Sequence, residues 1–233
     1  MLEFQLGEYP IKVHFSFLLL AVIVLDAGFG AAGLLIWTGV AFLSILLHEL
    51  AHAYFVRRQG AILEHVMIYA MGGLTYWRES LSTTIRWTDR ILISAAGPLS
   101  GIIVGLAAFA AIRTGWVGEL PQALVTEPWN PWLQVWAVQG NWLAFAMATI
   151  VWISLIWGVF NLLPIGGLDG SHVLAELLER TMPGRGRKIA AYIGMATAVA
   201  VALWAFSADL LFLGLIVLFF AYQDFSRVTG AAR

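Results

Sequence analysis

Residues 27–52 read AGFGAAGLLIWTGVAFLSILLHELAH, and this stretch decides both the fold class and the position of the candidate site. The run from 27 to 47 carries no charged side chain, and a helix of about 20 such residues spans a bilayer. The run leads directly into His48, Glu49 and His52. Histidines four positions apart lie on one helix face, so both imidazoles can reach one ion, while Glu49 points to a neighbouring face. The stretch therefore predicts a membrane-spanning helix with a metal-binding motif.

The composition of the chain supports an integral membrane protein in contact with a lipid bilayer. Of its 233 residues 61% are hydrophobic and 12% charged, and the mean hydropathy is +0.84, far from the averages of soluble domains. A net charge of -1 gives no reason to expect a nucleic-acid partner, because binding phosphates requires a basic surface. The absence of cysteine excludes disulfides and thiolate ligands, which leaves histidine and carboxylate side chains as candidate metal ligands.

The uncharged runs predict an all-α polytopic membrane protein with about six transmembrane helices. The predicted helices cover residues 13–30, 31–56, 90–112, 142–163, 188–207 and 208–225. Asp209 and Asp224 bracket only 14 uncharged residues in the last helix, which should hold both acids at the membrane interfaces or thin the bilayer locally. In the third helix, glycines recur at four-residue intervals and predict close helix packing; they are Gly97, Gly101 and Gly105.

A small β-sheet is expected beside the histidine motif. Residues 60–77 are rich in strand-favouring side chains around the pair Gly72 and Gly73, which predicts a hairpin that dips into the membrane interface. A loop whose Met and Tyr side chains pack on helices is the alternative. Residues 2–6 alternate in polarity and could add a strand to the same sheet.

The basic residues predict the orientation of the chain. With a cytoplasmic N-terminus and six helices, every Lys and Arg except Arg113 falls in a cytoplasmic segment. Both termini are therefore expected in the cytoplasm of a bacterial-type cytoplasmic membrane, with the histidine motif near the cytoplasmic side. We expect one integral membrane domain over residues 1–233, with the motifs in 9–175 and two further helices in 188–225.

A second polar cluster follows the fourth predicted helix and reads NLLPIGGLDG from Asn161 onward. Pro164 interrupts a regular helix and the glycines after it permit tight backbone paths, so Asp169 can fold back toward a metal ion. From this segment alone, an ordinary turn with an exposed Asp169 is an equal alternative. An acid inside the membrane costs about 2.5–3.5 kcal/mol, so Glu49 and Asp169 together favour a compensating divalent cation.

These motifs resemble those of the site-2 protease family of intramembrane zinc metalloproteases. The resemblance rests on motifs in the family's order: His48-Glu49-x-x-His52, Gly72-Gly73, Gly97-Pro98 and Asn161-x-x-Pro164-x-x-x-x-Asp169-Gly170. It implies that His48, His52 and Asp169 bind one Zn²⁺. It further implies that Glu49 is the general acid/base, and that Asn161 binds the substrate backbone or the developing oxyanion.

The implied function is hydrolysis of peptide bonds within or near transmembrane segments of membrane-protein substrates, as in regulated intramembrane proteolysis. The edge of the predicted hairpin, including Gly72 and Gly73, would bind an unwound substrate segment by strand addition. The length of the chain leaves no room for PDZ or CBS domains, so a minimal form is expected. Alternatives are a catalytically silent binding module of the same fold, against which Glu49 argues, and a metal transporter, which would need a longer polar path.

Overall fold

The computed structural model describes residues 1–23, 30–81, 84–116, 122–126 and 141–229. Most of these residues are helical. In chain order the helices are α1 (Leu18–Ile23), α2 (Gly30–Arg58), α3 (Trp87–Arg113), α4 (Gln122–Thr126), α5 (Trp142–Ile150), α6 (Trp157–Asn161), α7 (Asp169–Thr181), α8 (Gly186–Ser207) and α9 (Leu211–Thr229). A 3-10 turn, Phe15–Phe17, precedes α1, and a π-helical segment, Val151–Ile156, connects α5 to α6.

Within the described residues, four helical stretches are long and apolar enough to cross a membrane. They are α2, α3, the continuous stretch Trp142–Asn161 and α8. The apolar part of α9, Leu211–Ser226, is shorter than these four. Of the predicted first helix, 13–30, the structure describes the 3-10 turn and α1, and residues 24–29 lie outside the described part. The described residues therefore confirm a mostly helical chain with four candidate spans, but they do not confirm the predicted number of six.

The chain forms two compact units, of which the first comprises Met1–Thr84 and Ala96–Val159. This unit holds a four-stranded sheet in the order β1-β2-β3-β4. The strands are β1 (Leu2–Leu6), β2 (Tyr9–Val13), β3 (Ile62–Tyr69) and β4 (Gly72–Arg78). β1 and β2 are antiparallel, β2 and β3 parallel, and β3 and β4 antiparallel. The predicted hairpin and the predicted strand at residues 2–6 are thus confirmed.

The strand β2 was not predicted: its sequence, YPIKV, includes Pro10, which lacks the backbone N–H that a strand donates. Tertiary packing explains the strand. Ile11, in its centre, is 1% exposed and belongs to an apolar cluster that joins the sheet to α2. The other buried members of that cluster are Phe17, Leu46, Ala53, Val66 and Ile68. The sheet is thereby fixed against the part of α2 that carries the histidine motif.

Two glycines of α3 confirm the expected close helix packing within the first unit. A Cβ atom on Gly101 would lie 2.8 Å from the carbonyl oxygen of Ser154, and one on Gly105 would lie 2.6 Å from the backbone nitrogen of Leu155. Both contacts fall on the π-helical segment. Gly97 has different neighbours, which belong to the candidate site.

The second unit comprises Ile85–Ala95 and Phe160–Arg233. It contains α7, the amphipathic helix that begins at Asp169, and the helices α8 and α9, which pack against each other. The turn between α8 and α9 contains Asp209 in a left-handed conformation, at φ 59°. An apolar cluster forms the centre of this unit and consists of Ile165, Leu168, Ala198, Val217 and Ala221. The division into two units does not test the prediction of one integral membrane domain, which stays a prediction.

Candidate active site

The two histidines of α2 lie as the four-residue spacing predicts. The Nε2 atoms of His48 and His52 are 3.1 Å apart, and their ring planes are inclined by 75°. His52 is buried and His48 half-buried. In a tetrahedral zinc site with Zn–N bonds of about 2.0–2.1 Å, two nitrogen ligands are about 3.3 Å apart. The histidine pair therefore has the spacing that a shared metal ion requires.

Gly97 of α3 keeps space open beside this pair. A Cβ atom on Gly97 would lie 2.5 Å from Nε2 of His48 and would collide with Nε2 of His52. Gly97 thus also packs closely against another helix, as its spacing predicted, and the groups that it faces there are the two imidazoles of α2. Any side chain here would occupy the space that a shared ion and its open coordination position need.

The third candidate ligand is Asp169, the first residue of α7. Among the residues that the structure describes, one group of His, Asp and Glu side chains could hold a metal ion, and it consists of His48, His52 and Asp169. The ligand atoms of these three side chains all lie within 4.8 Å of one another. Two imidazoles and one carboxylate form the donor set of many catalytic zinc sites, which keep a fourth position for water. The donor set thus fits the expected ion.

Local backbone geometry explains how Asp169 begins a helix. Leu168 is extended, with φ -103° and ψ 156°, and its carbonyl accepts a hydrogen bond from the hydroxyl of Ser171 at 2.7 Å. A Cβ atom on Gly170 would collide with the backbone carbonyl of Leu162. The glycine after Asp169 therefore allows α7 to start directly against the end of α6, which is the tight path that the sequence indicated.

Glu49 is almost fully buried, at 5% exposure, and β4 lies directly against it. The hydroxyl of Thr75 donates to Glu49 Oε2 at 2.8 Å and also reaches the backbone carbonyl of Glu49 at 3.0 Å. A Cβ atom on Gly73 would collide with the Glu49 side chain and would lie 2.6 Å from its Oε1. The strand thus fixes the Glu49 carboxylate, for which the family resemblance implies the role of acid/base.

Sequence reasoning missed Thr75, although a signal for it was present. Residues two apart in a strand point to the same face, so a strand that places Gly73 next to Glu49 also places Thr75 there. Gly72, the other member of the glycine pair, has φ +117° at the turn between β3 and β4. The backbone conformation thus explains why a glycine occupies position 72, and the close contact with Glu49 explains why one occupies position 73.

Tyr69, at the end of β3, shares this environment. Burial raises the pKa of the Tyr69 phenol, and the neighbouring Tyr76 and Glu49 raise it further. The phenol therefore stays neutral at physiological pH and adds no charge beside Glu49. Asn161, the remaining predicted site residue, is half-buried and ends α6 in the second unit.

Comparison with known proteins agrees with this arrangement. Residues 38–201, well over half of the chain, match the sequence model of peptidase family M50. The chain belongs to peptidase family M50. The resemblance to site-2 proteases that the motifs indicated is thus confirmed, and the two histidines and the aspartate of this M50 chain lie within the matched segment.

The relatives of this M50 chain are named as zinc metalloproteases. A zinc metalloprotease of Methanocaldococcus jannaschii is 25% identical over 97% of this chain and 60% of its own length. Rip3 of Mycobacterium tuberculosis, a provisionally named zinc metalloprotease, is 31% identical over 85% of this chain and 40% of its own length. The chain thus spans about 40–60% of these relatives. The solved site-2 protease from M. jannaschii has the same fold, with a TM-score of 0.64 at 22% identity, over 97% of this chain and 94% of that one.

Proposed function

We propose that this M50 chain is a zinc metalloendopeptidase that cleaves peptide bonds within or near transmembrane segments of other membrane proteins. The observation that carries the proposal is the His48, His52 and Asp169 group together with a buried Glu49 that Thr75 holds in place. A purely structural metal site has no need for an oriented carboxylate that is not a ligand. The relatives' names and the apolar helices support zinc as the ion and the membrane as the place of reaction.

The chemistry assigns a separate task to each residue. Zinc held by three protein ligands would keep one open position for water and lower the pKa of that water to about 7. Glu49 accepts the proton of the attacking water and later delivers it to the leaving amine. The side-chain amide of Asn161 donates a hydrogen bond to the substrate carbonyl oxygen as negative charge develops there. The burial of Glu49 restricts proton transfer to groups inside the site.

A transmembrane substrate must be unwound before it can react, because its carbonyls are hydrogen-bonded within a helix. β4 lies at the edge of the described sheet and carries Gly72 and Gly73 next to Glu49. An extended substrate segment that pairs with β4 would expose its carbonyls beside the acid/base. We therefore expect substrates with helix-breaking residues near the cut. Undiminished cleavage after those residues are replaced by leucine would count against this mode of binding.

The test compares the wild type with Glu49→Gln, which keeps the shape of the side chain but cannot accept the proton. Both are co-expressed with a library of tagged single-pass membrane proteins, and the zinc content of the purified proteins is measured. We expect one zinc per chain in both and fragments only with the wild type. If both proteins contain zinc but neither produces fragments, the result would instead support a binding module. Uptake of zinc into vesicles that contain the protein would support a transporter.

We also propose that both termini and the metal site lie toward the cytoplasmic side of a bacterial-type cytoplasmic membrane. The chain contains no cysteine, so single cysteines can be introduced as clean markers. Glu8→Cys should react with an impermeant thiol reagent only from the cytoplasmic side, and Thr114→Cys only from the opposite side. The reverse pattern would overturn the proposed orientation.

A further inference from the structure

The five residues before Asp169, residues 164–168, are here called the ligand loop, because they lead into the proposed third zinc ligand. Two of them, Ile165 and Leu168, are buried in the apolar cluster of the second unit. The amide of Leu168 donates to the carbonyl of Ile165 at 3.0 Å, which closes a tight turn. The remaining members of the cluster come from α8 and α9: Ala198, Val217 and Ala221. The loop is therefore built onto this helical hairpin.

A buried carboxylate secures the middle of the ligand loop. Asp224 of α9 is only 5% exposed, and its Oδ2 accepts a hydrogen bond from the amide of Gly166 at 2.9 Å. Buried backbone amides require a partner, so this contact fixes where the loop can lie. Asp224 thus meets the backbone three residues before Asp169.

Two glycines make the close approach possible. A Cβ atom on Gly166 would collide with the Asp224 carboxylate. One on Gly194 of α8 would lie 2.8 Å from Asp224 Oδ2 and 2.8 Å from the carbonyl oxygen of Pro164. A third contact follows at Gly167, where a Cβ atom would lie 2.9 Å from the ring of Phe220. Both helices of the hairpin therefore touch the loop backbone itself.

We propose that Asp224 is a positioning residue for the metal site, which holds the ligand loop so that Asp169 is presented at a fixed place. The inference rests on the proposed function, because it takes Asp169 as a zinc ligand. Residues that orient a metal ligand change metal affinity or activity by about 10- to 100-fold when they are replaced. Asp224 lies outside residues 38–201, so the family match does not include it.

The test measures zinc directly, so that its result does not depend on proteolysis. Purified Asp224→Ala, Asp224→Asn and wild type are compared by zinc affinity in competition with a chelating indicator. The absorption spectrum of the cobalt-substituted proteins reports the geometry of the ligands. We expect Asp224→Ala to bind zinc about 10- to 100-fold more weakly and to change the cobalt spectrum. Asp224→Asn should stay within about 3-fold of wild type, because its amide oxygen can still accept from Gly166.

Asp209→Asn serves as the control, since it removes a carboxylate from the turn of the same hairpin and leaves the loop contacts intact. Wild-type affinity in Asp224→Ala, or equal loss in folded Asp224→Ala and Asp224→Asn, would overturn the proposal. If Asp224→Ala does not fold, zinc affinity and the cobalt spectrum are measured for Gly166→Ala instead. Unchanged zinc binding in Gly166→Ala would also overturn the proposal. A wild type that binds zinc but cleaves nothing would refute the proposed function while leaving this test intact.

Discussion

Replacing Thr75 by valine tests whether β4 orients Glu49, the proposed acid/base. Valine has nearly the shape of threonine, so the half-buried position stays filled while the hydroxyl that donates to Glu49 Oε2 at 2.8 Å is lost. The histidines keep their own contacts, and the backbone edge of β4 is unchanged. We therefore expect Thr75→Val to lower kcat while zinc content and KM stay close to the wild-type values.

The expected size of the effect follows from the geometry. A hydrogen bond to a charged group contributes about 1.5–3 kcal/mol, which corresponds to about 10- to 150-fold in rate. The single hydroxyl proton of Thr75 is shared between Oε2 and the backbone carbonyl of Glu49, at 2.8 and 3.0 Å. Sharing weakens each contact, so the lower part of the range applies. We expect kcat to fall about 10- to 30-fold.

The assay is steady-state cleavage of a purified transmembrane substrate in detergent or liposomes, with the zinc content determined for each sample. Thr75→Ser restores the hydroxyl and should recover most of the activity. Thr197→Val is the matched control, because the Thr197 hydroxyl donates to the carbonyl of Ile193 in its own helix at 2.9 Å. A Thr75→Val enzyme within 2-fold of wild type in kcat, or one that loses zinc, would refute the reasoning.

Two further predictions concern the metal space and the turn after α7. Gly97→Ala should abolish stoichiometric zinc binding, because its methyl group would occupy the space at the imidazoles, whereas Gly39→Ala, whose Cβ meets nothing within 4 Å, should bind zinc normally. Backbone amides of Gly184 and Arg187 lower the pKa of the Glu179 carboxyl below its ordinary 4.5. The stabilisation from the ionised Glu179 carboxylate is therefore complete above pH 4.5 and is lost as the pH falls through the lowered pKa. Thermal melts should show that Glu179→Gln is less stable than the wild type at pH 7. The difference in stability should shrink toward pH 3.

The metal motif was predictable because its information is local. The spacing of His48 and His52 on a helix fixes their separation, whatever the rest of the fold. Asp169 was predictable only together with the histidine motif, because the proline and glycines before it are equally compatible with an ordinary turn and an exposed carboxylate. Hydropathy likewise identified α2, α3, the stretch Trp142–Asn161 and α8, because a span leaves a continuous apolar run.

The supports of the site were not predictable, because they depend on residues far apart in the sequence. Thr75 acts on a residue 26 positions earlier, and Asp224 acts on an amide 58 positions earlier. An isolated aspartate near the end of an apolar helix indicated a membrane interface, whereas the structure buries Asp224 within the protein against a backbone amide. Only the packed hairpin shows that the carboxylate has a partner there. Intramembrane acids often face the protein interior for this reason.

The proposed acid/base and the proposed third ligand therefore have separate supports, which leads to a final prediction. Thr75 holds Glu49 from the sheet, and Asp224 holds the ligand loop from α9, and the contacts described for the two share no residue. Effects of independent sites add in free energy to within about 0.3–0.5 kcal/mol. The double variant Thr75→Val with Asp224→Ala should thus bind zinc as weakly as Asp224→Ala alone. Its kcat/KM at limiting zinc should fall by the product of the two separate factors. A loss much smaller than the product would mean that both residues act on one shared element, and the two-support account of the site would then be wrong.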